Sequence, residues 1–292
     1  MVLSRRLLFR SGIWEIARPR HPLTTGHVLI RLSDPSTEFT ETSAADWLFC
    51  HNLLRAALDE VLGAKRFTVM FAHRWHPLGA AVGEPVAESS TPTFHLFARW
   101  ESESTTPGRQ LAQPAHHRVP VPEDILDIVD ARIRDSLQLS AANVAKAPTG
   151  QVGSAPSATS GVVPVQVPLP PVAFPPAPFP RVATVDAARH HSVIEPASGA
   201  AAISAVLPAE LVAMGSALGA LPLTSGLTGF SCVAIEGGDP GEGGDPGEGG
   251  SPGEGGNPGS TLRIHAVGRS AAEEANPMVD LFNLPEVSFA LL

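Results

Sequence analysis

The run Val163–Pro180, VPVQVPLPPVAFPPAPFP, constrains this chain more than any other feature. Each proline fixes its φ angle and lacks a donor N–H, so the run cannot form a helix or an interior strand. It reads as a semi-rigid extended connector or a strap along a surface, with a proline-motif ligand for another protein as the alternative. The chain therefore divides into a first half, residues 1–144, a Pro-rich linker, residues 145–181, and a second half, residues 182–292. The second half is itself interrupted. Residues 237–259 repeat a six-residue unit, GGDPGE, GGDPGE, GGSPGE, GGNPG, with no apolar side chain to bury. They read as a disordered insertion. Their acidic residues suggest calcium, but the calcium-binding nonapeptide repeat carries an apolar position that this unit lacks.

The flanking halves have enough apolar residues, 43% over the chain, to build a core. No stretch of about 18 apolar residues is present, which excludes a membrane-spanning helix, and no membrane partner is expected. A net charge of −9 argues against nucleic acid as a partner. Two cysteines, Cys50 and Cys232, make no disulfide framework and read as reduced, buried, small apolar residues. Arg5, Arg6 and Arg10 look like the start of a targeting segment, but Leu7-Leu8-Phe9 is too short for the apolar run of roughly 7–15 residues that a secretory signal needs. The expected location is the cytoplasm.

Hydrophobic periodicity predicts strands at His27–Leu32, Phe67–Ala72 and Phe94–Trp100. It predicts a helix over Ser43–Leu62, with Trp47, His51, Leu54, Leu58 and Val61 on one face, Ser43 as N-cap and Gly63 closing the end. A second helix is predicted over Glu123–Leu139, with Ile125, Val129, Ile133 and Leu137 on one face. The basic N-terminal residues, Arg18 and Arg20 among them, read as a solvated face.

The two halves can be laid on one another. His27-Val28-Leu29-Ile30 matches His191-Ser192-Val193-Ile194; the helix 43–62 matches Pro208–Leu221; Phe67–Phe71 matches Phe230–Ala234. In each half a loop follows and ends in a short strand with one histidine and an arginine four residues later: His95 and Arg99, then His265 and Arg269. Strand, helix, strand, loop, strand, used twice, predicts an α+β fold of two similar halves, each an antiparallel sheet plus helices.

The segment Arg20–Ile30, RHPLTTGHVLI, resembles the P-L-x-x-G-H-V-L-I lead-in to the central sheet of the histidine-triad (HIT) superfamily. The paired halves are similar to its galactose-1-phosphate uridylyltransferase and diadenosine tetraphosphate phosphorylase branch, where two such folds occupy one chain. The resemblance covers residues ~13–140 well and ~183–270 weakly. It implies two HIT-like halves forming an intramolecular pseudo-dimer. That branch carries H-P-H-x-Q, and the wider family H-x-H-x-H. The middle histidine attacks the α-phosphate and carries the nucleotidyl group covalently. On this chain the motif falls on Thr91-Pro92-Thr93-Phe94-His95, so the nucleophile position is Thr93 and the outer histidine is Thr91. Only His95, at the phosphate-contact position, is kept. In the second half the nucleophile position is Arg263, with His265 at the last position. A threonine hydroxyl does not replace an imidazole here, because its pKa lies far above neutrality and its phosphate ester would be hard to reverse.

The resemblance thus implies a catalytically degenerate protein that holds a nucleotide or sugar-phosphate ligand, or serves as an interaction platform. Ligand contacts would come from His95, Thr93, Ser90, Arg99 and His27, with Arg263, His265 and Arg269 as second-half equivalents. The Gly79–Gly83 stretch, with Glu84 and Ser89, is consistent with backbone anion binding and equally with a plain turn. Arg99 and Arg269 could fork onto a phosphate or sit on a solvent face. The enzymatic alternative is a nucleotidylyltransferase, phosphorylase or hydrolase with relocated residues, in which His73, His76 or His27 supplies the base; a structural interaction protein is the second alternative. No metal site is expected: His73, His76, His116, His117 and Cys50 do not match a zinc spacing. No cofactor is implied. The chain would be a monomer or a homodimer.

Overall fold

A computed structural model describes residues 6–74, 92–146, 179–187, 190–223, 226–236, 261–270, 281 and 283–292. Ser90, Thr91, His76, the Gly79–Gly83 stretch with Glu84 and Ser89, the Pro-rich run as far as residue 178 and the hexapeptide insertion lie outside the described residues.

The fold is α+β. Nine strands form one antiparallel sheet: β1 (Leu7–Arg10), β2 (Trp14–Ala17), β3 (His27–Leu32), β4 (Arg66–His73), β5 (Thr93–Arg99), β6 (Arg181–Asp186), β7 (His191–Glu195), β8 (Leu227–Ile235) and β9 (Arg263–Ser270). Their spatial order is β1-β2-β3-β5-β4-β8-β9-β7-β6. From the central β4–β8 pair outward, the two wings run through the same connections. In each, the last strand of the half sits between the other two, and β2 and β6 take equivalent places. The join is antiparallel, from Thr68 opposite Ile235 to His73 opposite Phe230. β1 has no counterpart beyond β6 among the described residues.

Strand alternation gives the sheet two faces. One carries Val28, Ile30, Val69, Leu96, Cys232, Ala234 and Ala266 into the main core, under α1 (Glu41–Leu62), α3 (Glu123–Lys146) and α4 (Pro208–Gly219). The other carries Met70, Phe97, Val233 and Val267 into a smaller core with Leu111, Val287 and Leu291. That second cluster is closed by α2 (Pro107–Leu111) and α5 (Pro285–Leu291), which pack on one another.

Several boundaries differ from the sequence reading, each for a local reason. α1 starts at Glu41 with Thr40 as N-cap. Ser43 is its N3 residue, and each side chain accepts the other's backbone N–H, a reciprocal box. Gly63 does close the helix, at φ 71°. In α3 the buried stripe runs Leu126, Asp130, Ile133, Leu137, whereas Ile125 is 43% exposed. A buried aspartate inside the stripe disguised the face. α3 also continues to Lys146, two residues past the expected end of the first half. Arg181, assigned to the linker, is the first residue of β6. Both cysteines are free and buried; burial pushes the Cys50 thiol up to about 12 and the Cys232 thiol up as well.

Candidate functional site

The residues that the sequence singled out converge on the smaller-core face of the sheet. In the first half, Gly26 leads into β3. A Cβ there would stand 2.7 Å from the Ala98 carbonyl oxygen and 2.8 Å from the Trp100 ring, so only glycine lets the two backbones meet. Ala98 N–H donates to the Gly26 carbonyl at 3.0 Å. This contact fixes the register: Leu29 lies opposite His95 and His27 opposite Phe97. His27 and His95 are therefore diagonal neighbours on one face, and His27 Nε2 lies 3.1 Å from His95 Nδ1.

The hydrogen bonds assign the tautomers. Leu23 N–H donates to His27 Nδ1 at 3.2 Å, so His27 carries its proton on Nε2 and donates it to His95 Nδ1. His95 then holds its own proton on Nε2. Both rings are buried. Burial holds His95 down to about 3 and His27 well below the ordinary imidazole range, with the neighbouring His95 and Arg18 adding to the effect on His27. Burial thus favours the neutral form of both rings. His95 has one nitrogen accepting and the other protonated, which leaves no lone pair for attack on phosphorus.

Arg18 was expected at a solvated face. It is 4% exposed. Its guanidinium donates to the carbonyls of Thr25 and His27, each at 2.7 Å, and to Asp130 Oδ1 at 2.6 and 2.8 Å. A charge leaves water only with a partner and satisfied donors, and α3 supplies that partner.

The second half repeats the imidazole pair. His191 lies opposite Val267 and Val193 opposite His265, the same register. His191 Nε2 lies 3.1 Å from His265 Nδ1. The ring centroids stand 5.3 Å apart, against 5.4 Å in the first pair.

Beyond each pair, the same strand face carries an apolar residue and then an arginine: Phe97 and Arg99 on β5, Val267 and Arg269 on β9. Neither arginine takes either expected place, an open phosphate site or a solvent face. Arg99 is 3% exposed, pairs with Glu103, and donates to the carbonyls of Ala290 at 3.3 Å and Leu292 at 2.7 Å. It thus anchors the last turn of α5. Arg269 is 1% exposed and donates to Ser231 Oγ at 3.0 Å. Thr93 and Arg263 occupy equivalent half-buried positions two residues before His95 and His265, and Arg263 pairs with Glu195 at 3.1 Å. The structure therefore brings His27, His95, Thr93 and Arg99 onto one face of the first half, and Arg263, His265 and Arg269 onto the same face of the second.

The other candidates stand apart. His51 stacks on Trp47 inside the main core, where burial lowers it to about 3. His116 and His117 sit on an exposed turn of 3-10 helix. Among the described residues, no group of three or more histidine, cysteine, aspartate or glutamate side chains is placed to hold a metal. None of the described helices is long and apolar enough to cross a membrane.

Sequence reasoning missed Arg18, Asp130 and Glu103. The available signal was an aspartate within an otherwise apolar α3 stripe. Such a residue asks for a buried cation.

No family model matches the chain. No curated protein matches it either. Among solved structures it is similar to a Hit-like protein involved in cell-cycle regulation from Bartonella henselae, at 16% identity and TM-score 0.32, over 44% of this chain and 85% of that one. It is also similar to a hypothetical histidine triad nucleotide-binding protein from Sulfolobus tokodaii, at 12% identity and TM-score 0.35, over 50% and 91%. A third likeness is to the NitFhit protein of C. elegans, at 15% identity and TM-score 0.32, over 46% of this chain and 27% of that one.

Proposed function

We propose that this chain is a catalytically degenerate histidine-triad-type protein, built as an intramolecular pseudo-dimer of two halves in the manner of the galactose-1-phosphate uridylyltransferase branch. It holds a nucleotide or sugar-phosphate ligand without forming a covalent bond to it. One observation carries the degeneracy. Each central strand offers a single imidazole, already bonded to a second buried imidazole at 3.1 Å. Where the H-x-H-x-H pattern is centred on His95, that imidazole is the middle one, and its Nδ1 already accepts from His27; the other two placements put no histidine in the middle. If the pattern ends at His95 its middle residue is Thr93; if it starts there the middle is Phe97. In the second half the same two choices give Arg263 and Val267. Loss of a covalent nucleophile costs on the order of 10⁴ or more in rate.

A second reading, an interaction scaffold with no small ligand, is favoured by a different observation. α5 fills the face over Phe97, Met70 and Val233, with its last carbonyls on Arg99.

The test is incubation with diadenosine tetraphosphate, nucleotide sugars and adenosine monophosphoramidate, read by product formation, intact mass and thermal shift. The expected outcome is no turnover, no mass adduct, and a higher melting temperature with at least one nucleotide. Turnover that disappears in His95→Ala, or a nucleotidyl adduct on any residue, overturns degeneracy. No thermal shift with any compound moves the conclusion to the scaffold reading.

A further inference from the structure

The two ends of the sheet are finished differently. At one end β1 flanks β2, and α3 packs against β1 and α1. At the other, β6 is the outermost strand among the described residues, and Arg181 to Val185 are all exposed. Val182 and Val185 are 47% and 60% exposed, and Phe179 just before them is 94% exposed. Behind β6 lies an apolar trough of about 960 Å³, lined by Phe179, Val182, Ala217, Leu221 and Phe230 among others. It runs between β6 and α4, whose Ala213, Ser216 and Ala217 line it. An edge strand with exposed valines is a template for another strand unless lysine, proline, a bulge or a covering element blunts it. β6 has neither lysine nor proline within it, and its one register irregularity falls at its end, between Thr184 and Asp186.

The sequence of β6, Arg-Val-Ala-Thr-Val-Asp, says what fits. A register irregularity between Thr184 and Asp186 makes Val185 the extra residue. Arg181, Ala183 and Asp186 consequently lie opposite Glu195, Val193 and His191, all on one face; Val182 and Thr184 lie on the other. The strand is its own antiparallel complement. Centred on Ala183, a second copy sets Ala183 against Ala183, Val182 against Thr184, and Arg181 against Asp186, with opposite charges at both ends.

We propose that β6 is a homodimer interface. Two copies of the chain pair their β6 strands antiparallel about Ala183, joining two nine-stranded sheets across a twofold axis and setting the two apolar troughs side by side. Opposite charges facing one another across strands stabilise pairing, and like charges destabilise it. The twofold doubles each effect, because every substitution enters twice. The proposal does not rest on the ligand reading, because its readout is association of chains; Asp186 does lie opposite His191 of the second imidazole pair.

The test is sedimentation velocity of the full chain over a dilution series reaching about 100 µM, a range that captures micromolar dimers. The expected species is a dimer of the 30.4 kDa chain. Arg181→Asp and Asp186→Arg each place like charges at both ends, and each raises the dimer dissociation constant about tenfold or more. The double variant Arg181→Asp/Asp186→Arg restores it to within a few-fold. Because these side chains sit on an edge strand, circular dichroism and melting of diluted protein report that each variant still folds. A wild-type chain that is monomeric throughout the series overturns the proposal. So does a dimer indifferent to both single reversals, and so does a double reversal that fails to restore pairing.

Discussion

His27 with His95, and His191 with His265, are joined by the same bond in the same register, yet their surroundings are built differently. In the first half a glycine, Gly26, precedes the first histidine and packs against Ala98. In the second half the small residue has changed strands. His190 precedes the histidine at φ 49°, and Gly268 gives way across the ladder, where an added Cβ would meet the His190 Cβ at 2.8 Å. The backbone bond is kept in both, Ala98 N–H to Gly26 at 3.0 Å and Gly268 N–H to His190 at 3.1 Å. What persists is the close backbone approach and the imidazole bond it sets up; which strand supplies the missing side chain is free to change. The support behind the pair differs too. The first half braces the His27 carbonyl through Arg18 and Asp130 of α3, while an apolar trough lies between β6 and α4 in the second.

The sharpest way to break this comparison is to remove the brace. Asp130→Ala leaves the Arg18 guanidinium buried at 3% side-chain exposure with no anion. Truncating one partner of a buried pair costs about 3–5 kcal/mol, because the remaining charge is left uncompensated. A fall in denaturant midpoint of that size, with an unchanged slope, is the expected outcome. Arg18→Met/Asp130→Leu should recover only part of it, since it leaves no stranded charge but removes the donor to the Thr25 and His27 carbonyls. If Asp130→Ala costs less than about 1 kcal/mol, the level of an exposed pair, α3 does not brace the first half.

How much of this was legible in the sequence follows from which physical signals are local. The α+β class, both imidazole-bearing strand pairs and α1 could be read because alternation, helical period and the Gly63 terminus are local patterns. β1 escaped because only Leu8 of Leu7–Arg10 is deeply buried, which leaves no alternation to see. β6 escaped because all but one of its residues are exposed, and strand Asp186 follows an irregularity that breaks the pattern. At the site, His27 and His95 were visible as residues but their mutual bond was not, since it depends on a pairing across 68 positions. Arg18 and Asp130 are 112 positions apart. The sequence leaves Arg99 open between a phosphate contact and a solvent face, because its bonds to the backbone oxygens of Ala290 and Leu292 span more than 190 positions.

A second comparison concerns the glycines. Gly26→Ala and Gly268→Ala place the same methyl group on opposite sides of equivalent contacts. Gly26→Ala drives a Cβ into a backbone carbonyl at 2.7 Å, which cannot rotate away. The expected cost is about 2–3 kcal/mol, toward the upper end for overpacking. Gly268→Ala meets the His190 Cβ at 2.8 Å and the movable end of Leu227 at 2.9 Å. Its cost should be about 1–2 kcal/mol, and His190→Gly should relieve it by opening the space that Gly26 leaves in the first half. Equilibrium unfolding of the three variants decides this. Equal costs that His190→Gly does not relieve would show that the two contacts are not equivalent.

The smallest effect is the most specific to the imidazole pair. His95, His27 and His51 are held below their unfolded values by burial, so the unfolded chain binds protons that the folded chain does not. The sign follows directly. Their contribution to stability is intact above about pH 6.5 and is lost as pH falls from there toward about 3, the folded value for His95 and His51. Each neutral buried imidazole adds a slope of about 1.4 kcal/mol per pH unit within that window. His27→Phe removes one such group together with the donor to His95 Nδ1. At pH 7.5 it should cost about 1–2 kcal/mol for the orphaned acceptor. As pH falls below about 6 its stability should fall less steeply than that of the wild type, because one fewer buried imidazole resists protonation. The two profiles therefore converge on acidification, which a purely steric defect at position 27 would not produce. Parallel profiles would mean that His27 is already protonated in the folded chain, and with it the neutral tautomer that denies His95 a lone pair for nucleophilic attack would have to be given up.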